Sequence, residues 1–78
     1  MRRTFMDDQF DEWEAYVSGG QPGLAHAARI MFNCISTPTR RPRFVVHASG
    51  DPAEAERELY RTDDAGVIEL FKSSDELE

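Results

Sequence analysis

Seventy-eight residues leave room for one domain and no second, since domains usually run to about 100–150 residues and rarely fall below about 50. Fifteen Asp and Glu against nine Lys and Arg give a net charge of −6, which argues against the whole molecule being a general binder of nucleic acid or anionic membrane. Hydrophobic residues at 40%, with five Phe, two Tyr and one Trp among them, exceed what a disordered chain carries, so the chain is expected to fold.

Cys34 is the only cysteine, which excludes an internal disulfide and supplies too few thiolates for a structural zinc site. The expected compartment is therefore a reducing cytoplasm. Apolar stretches such as Ile30–Phe32 and Val67–Ile68 fall far short of the ~20 residues of a membrane span, and no signal peptide is expected at the start of the chain. The expectation is a soluble cytoplasmic protein with no membrane partner.

Charge is uneven along the chain. Residues 1–20 carry two Arg and five acids, residues 21–50 four Arg and no acid, and residues 51–78 three bases and ten acids. A basic island thus lies between acidic flanks. Eight of the nine bases are Arg, a side chain suited to bidentate contact with carboxylate or phosphate, although genome composition or a salty cytoplasm explains the same bias. Polar clusters at 18–23, 37–42, 49–52 and 63–66 read as turns.

In chain order, Met6, Phe10, Trp13 and Val17 recur at spacings of four, three and four, which predicts a helix over about Asp7–Val17. Asp7, Asp8, Asp11, Glu12 and Glu14 crowd its early turns, where the helix dipole favours acids, and Gly19 and Gly20 follow as stop signals. Leu24, Ala27, Ala28, Met31 and Ile35 fit a second helical stripe, but the two-residue period of Ala28, Ile30, Phe32 and Cys34 favours a strand over about Ala28–Ser36. Thr37–Pro42 is a connection, and Arg43–Ser49 is a strand by its β-branched and aromatic content. A six-residue link makes the two an antiparallel hairpin, because a parallel crossover needs more chain.

Asp51, Pro52 and Glu54 match a helix start, predicting a short helical turn near Pro52–Glu56. Two strands over 58–62 and 67–72 then flank the turn Asp63–Gly66, with a longer helix to Arg61 as the competing reading. Ser73–Glu78 reads as a frayed acidic tail. The expected fold class is α+β: an N-terminal amphipathic helix packed on a three- to four-stranded, mostly antiparallel sheet.

One helix of roughly eleven residues is ~16 Å long and covers one side of such a sheet. Apolar residues occur on both sides, so Met31, Ile35, Ile68 and Leu70 are the candidate interface residues, and the expected partner is a second copy or another protein. The competing reading lets Leu24 and residues 18–27 fold over that side. Phe10 and Trp13 are readable as partner anchors, but their helical spacing reads as core.

Arg40, Arg41 and Arg43 sit in or beside the hairpin loop and with His47 form the candidate anion- or partner-binding group, the basis of an alternative role in binding nucleic acid or a phosphoanion. Pairing with the acids of residues 51–78 is the structural alternative. His26, Cys34 and His47 are the soft-ligand or nucleophile candidates, yet nothing supplies an orienting third group or an oxyanion hole. Asp51, Asp63 and Asp64 lack the calcium-loop pattern, and Gly19, Gly20 and Gly23 lack the Lys-Ser/Thr of a phosphate loop. No catalytic residue, metal or cofactor is expected. The chain reads as a small non-enzymatic accessory or interaction domain that self-associates through a sheet face.

Overall fold

Glu12 to Ser18 alternate strictly between polar or outward residues and Trp13, Ala15 and Val17, and this two-residue period makes a strand rather than a helix. The computed structural model describes residues 2–19 and 27–77. Strand β1 is Arg3–Met6, β2 Glu12–Ser18, β3 Arg29–Cys34, β4 Arg43–Val46 and β5 Asp75–Glu76; helix α1 is Pro52–Arg61 and α2 Asp64–Lys72. The five strands form one antiparallel sheet in the order β1-β2-β3-β4-β5. The α+β class stands, but the helices lie in the C-terminal half and the strands number five among the described residues.

The expected helix over Asp7–Val17 is replaced by a β1–β2 hairpin. The helical spacing grouped Met6 and Phe10 with Trp13, yet Met6 is 54% and Phe10 82% exposed while Trp13 is fully buried. Of the acids read as helix-dipole partners, Glu12 and Glu14 lie on β2, and Asp7 organises the turn before it. The Asp7 Oδ1 accepts the backbone N–H groups of Gln9 and Asp11, each at 2.9 Å, and Phe10 takes a positive φ of 64° that no helix continues. Gly19 also has a positive φ, whereas Gly20, Pro22, Gly23, Leu24 and His26 lie outside the described residues.

The β3–β4 hairpin is antiparallel as expected, with Phe32 opposite Arg43 and Arg29 opposite Val46. Both strands are shorter than the sequence suggested.

The predicted strands over 58–62 and 67–72 are helices. The Asp51 side chain caps α1 by accepting the Ala53 N–H at 3.1 Å, Pro52 fills the first turn, and Ala55 and Leu59, four apart, bury one stripe. The longer helix to Arg61 therefore wins. Asp63 is not a hairpin-turn residue but the N-cap of α2, accepting the Gly66 N–H at 2.9 Å. Ile68 and Leu70 consequently lie on a helix, partly buried against the core, rather than on a sheet face. The expected frayed tail also contains β5, whose Glu76 and Asp75 pair with Arg43 and Phe44, and Leu77 N–H reaches the Pro42 carbonyl at 2.8 Å.

Both helices pack on one face of the sheet, α1 against β2 and β3, α2 against β1 and β4. The core between them is Phe5, Trp13, Ala15, Ile30, Phe32, Cys34, Leu59 and Val67. The Phe71 ring of α2 sits among Phe5, Trp13 and Phe32 at centroid distances of 5.4, 4.7 and 5.5 Å, the tilted and edge-on contacts that aromatic quadrupoles favour.

Two arginines fasten the helices to this sheet. The Arg3 guanidinium donates to the Leu59 carbonyl at 2.7 Å, to the Thr62 carbonyl, and to Asp64 Oδ1 at 2.8 Å, placing its charge where the last carbonyls of α1 are orphaned. Arg43 donates through Nε to Ser74 Oγ at 2.8 Å and through Nη2 to the Ser74 carbonyl, while covering the Phe71 ring at 5.5 Å.

Candidate docking site

The basic group expected in the β3–β4 loop does not converge on one ligand. Arg40 donates to Asp11 Oδ2 at 2.7 Å and Asp7 Oδ2 at 3.2 Å and lies over the Trp13 ring, 4.9 Å from its centroid. Its partners are thus acids of the first flank rather than of residues 51–78. Arg43 is committed to Ser74, and Arg41 is exposed.

The acids around Arg40 are strongly organised. Burial pushes the Asp7 carboxyl up, but the Trp13 indole N–H, the N–H groups of Asp11 and Gln9, and the Arg40 charge outweigh it and hold the group below the usual carboxylate value. Asp11 is held below that value chiefly by the Arg40 hydrogen bond, aided by the hydroxyls of Thr37 at 2.8 Å and Ser36 at 3.0 Å. The same bond to Asp11 raises Arg40. This cluster ties the β1–β2 turn to the β3–β4 loop.

His47 lies at the far end of β4 from Arg43. Its Nδ1 accepts the Ser49 N–H at 3.2 Å and faces the Ser49 Oγ at 2.8 Å, leaving Nε2 to donate to Glu58 Oε2 at 2.6 Å. Ser49 Oγ in turn accepts the Asp51 N–H at 3.1 Å, so the hydroxyl is committed on both sides and the row fastens the start of α1 to β4. His47 and Glu58 also border an open, polar cleft of about 450 Å³ with Arg57 and Arg61.

Cys34 and His47 form no dyad. Their strands are neighbours, but Cys34 ends β3 whereas His47 N–H bonds Ala28 before the start of β3, a separation of about 20 Å at ~3.4 Å per residue. Cys34 is buried in the core, with only a weak 3.9 Å contact to Ser36 Oγ. Among the described residues no group of three or more His, Cys, Asp or Glu could hold a metal, and no helix is long and apolar enough to cross a membrane.

The sheet face away from the helices carries the row Tyr16, Met31 and Phe44 in register. Met31 is only 7% exposed, and guanidinium groups lie over the flanking rings: Arg2 at 4.8 Å from Tyr16 and Arg29 at 5.4 Å from Phe44. The row itself offers little apolar area, although Val46, two residues beyond Phe44 on the same face, is 57% exposed.

Three of the five large apolar residues that are exposed among the described residues lie at one end of the sheet, Val46 and Tyr60 standing elsewhere. Met6 pairs with Glu12, and Ile35, 43% exposed, continues β3 by donating its N–H to the Glu12 carbonyl at 2.8 Å. Phe10 stands at the turn beyond this row. Its N–H reaches the Asp7 carbonyl at 3.1 Å, and its left-handed backbone is a conformation that glycine or asparagine normally supplies in such loops. For a bulky L-residue it costs about 1–2 kcal/mol. Phe10 therefore accepts backbone strain while its ring is 82% exposed, and packing within the chain returns little of that cost.

On the helix side of the same turn lies a cleft of about 150 Å³, floored by Ile68 and Phe71 and rimmed by Asp8, Gln9, Arg40 and Lys72. Lys72 Nζ is 3.4 Å from Asp8 Oδ2 across its rim, both side chains being more than half exposed.

Of the interface candidates read from sequence, Ile35 lies at this exposed end and Ile68 in the cleft, while Met31 sits in the shielded row and Leu70 packs against the core. Phe10 and Met6 were missed as surface residues because the helical spacing assigned them to a core. A signal was present: an Asp-rich turn after Met6 followed by strict alternation from Glu12. Comparison with family models, curated proteins and solved structures finds no match.

Proposed function

We propose that this chain is a small non-enzymatic interaction domain that self-associates through the end of its sheet where Met6, Phe10 and Ile35 are exposed. The observation that carries the reading is Phe10, an aromatic ring held out by strained backbone at 82% exposure. Burying one Phe side chain against a partner is worth about 1.5–3 kcal/mol, enough to offset that strain. Side chains that break local rules without internal compensation are expected where a surface does work. The reading also accounts for His47, Arg40 and Arg43, whose bonds inside the fold leave them as fasteners.

The three exposed residues present less than the ~800 Å² per partner of a standard interface, so the association is weak. Sedimentation equilibrium from about 10 µM to 1 mM is expected to show a concentration-dependent dimer for the native chain and a monomer for Met6→Ser, Phe10→Ser, Ile35→Ser. A native chain that stays at 8.9 kDa throughout overturns the proposal.

A further inference from the structure

We infer that two copies join edge to edge, their β1 strands pairing antiparallel about a two-fold axis at Phe5 so that one sheet continues across both molecules. This rests on the self-association proposed above and names its contact, in which Met6 takes part.

The backbone of β1 is set for such a neighbour. The Asp7 N–H bonds the Asp11 carbonyl at 2.9 Å, and the Ile35 N–H bonds the Glu12 carbonyl at 2.8 Å. Both bonds fix the same alternation: Arg3 and Phe5 bond across to Ala15 and Trp13, while Thr4 and Met6 turn N–H and C=O away from β2. Because β1 ends the strand order, no strand meets these outward groups, and among the described residues none takes them up. The opposite edge, β5, is only two residues long. Free edges are commonly guarded by proline, lysine or an inward charge. β1 has no proline or lysine, and its one charge, Arg3, is spent on the Leu59 carbonyl and Asp64.

Charge order selects a second copy of β1 as the occupant. Residues 2–8 begin basic, with Arg2 and Arg3, and end acidic, with Asp7 and Asp8, so the stretch complements itself only when the copies run antiparallel. A two-fold axis normal to the sheet keeps the helices of both copies on one side, so residues opposite each other share a face. With the axis at Phe5, the outward groups of Thr4 meet those of Met6, and Arg2 comes beside Asp8 of the other copy. An axis at Thr4 sets Arg2 against Met6 and loses that pairing. The Arg2 and Asp8 side chains are 59% and 73% exposed, and their partners within the chain, Glu14 and Lys72, stand on β2 and α2 rather than at the free edge. Thr4 and Met6, both exposed on the face away from the helices, become neighbours across the join.

The test uses the full chain. In a mixture of isotopically labelled and unlabelled copies at about 1 mM, isotope-filtered NMR is expected to show a nuclear Overhauser contact between the Phe5 Hα atoms of the two copies, whose Cα atoms stand about 4.5 Å apart in this register. Thr4→Pro removes an outward donor while sparing the β1–β2 bonds, and is expected to dimerise about tenfold or more weakly than the native chain. Arg2→Asp and Asp8→Arg, which change only exposed side chains, are each expected to dimerise more weakly alone and to associate more strongly when mixed, since the mixture restores opposite charges at both ends of the join. A dimer without the Phe5–Phe5 contact, a folded Thr4→Pro that dimerises as the native chain does, or a mixture no stronger than its components overturns the edge pairing and leaves self-association in place. A native chain that is monomeric at every concentration overturns both.

Discussion

The Arg40 guanidinium lies 4.9 Å from the centroid of the Trp13 ring and is held there by Asp11 at 2.7 Å. Trp13 itself donates its indole N–H to Asp7 Oδ2 at 2.9 Å, so one buried aromatic organises both acids of the β1–β2 turn.

That arrangement sets a pH dependence. Asp7 and Asp11 are both lowered from the ordinary value of 3.8, so the stability they contribute is complete above that value and is lost as pH falls through their folded-state values. Thermal unfolding followed by circular dichroism between about pH 6 and 2 is expected to show a falling melting temperature below about pH 4, with a shallower fall in Asp11→Asn.

Asp7→Ala removes the acceptor of the Trp13 indole and of two turn N–H groups. The loss is expected to be about 1–3 kcal/mol by urea unfolding at neutral pH, the range for leaving a buried donor unpaired.

Arg3→Ala is expected to destabilise the fold by about 2–3 kcal/mol, because it removes the contacts to Leu59, Thr62 and Asp64 together. Arg3→Lys does not restore them, since an ammonium cannot present the planar fork that spans both helix ends. Chemical denaturation of the two variants checks this.

Gly66→Ala tests the helix junction. Alanine normally favours a helix interior by about 1 kcal/mol over glycine. Here the new Cβ would stand 2.2 Å from Thr62 Cγ2, on a side chain whose hydroxyl is bonded to the Glu58 carbonyl at 2.7 Å. The expected outcome is a net loss of stability of about 1–2 kcal/mol, read from the denaturation midpoint.

Phe10→Gly works in the opposite direction. It relieves the positive φ and removes a ring that contributes little to the isolated fold, so the monomer is expected to gain up to about 1 kcal/mol, or a few degrees in melting temperature. Scanning calorimetry at low concentration reads this, and an unchanged or lowered value contradicts the strain assigned to Phe10.

The α+β class, the β3–β4 hairpin and the cap at Asp51 were legible in the sequence because each rests on a local signal: two-residue alternation, a short link, an Asp-Pro start. The N-terminal half was misread because Met6, Phe10, Trp13 and Val17 satisfy a helical spacing as well as Trp13, Ala15 and Val17 satisfy a strand spacing. Burial decided between them, through the pairing of β2 with β3, which no local pattern contains. Residues 58–72 were misread for a related reason: Asp63 followed by Gly66 serves equally as a turn and as a cap, and only the burial of Leu59 and Val67 on one side of the sheet selects the cap. The candidate site was less legible still. Exposure of Phe10 is a property of the finished turn, and the cleft beside it is completed by residues distant in the chain, including Ile68 and Phe71.

Arg3, Ala15, Phe32 and Arg43 occupy one cross-strand row on the side that carries the helices. A slip of β1 by one residue would carry Arg3 to the opposite surface and release the end of α1, and the same slip of β4 would free α2 from Arg43. Strand alignment therefore governs helix attachment: only the register that keeps Arg3 and Arg43 on the helix side lets each hold its helix.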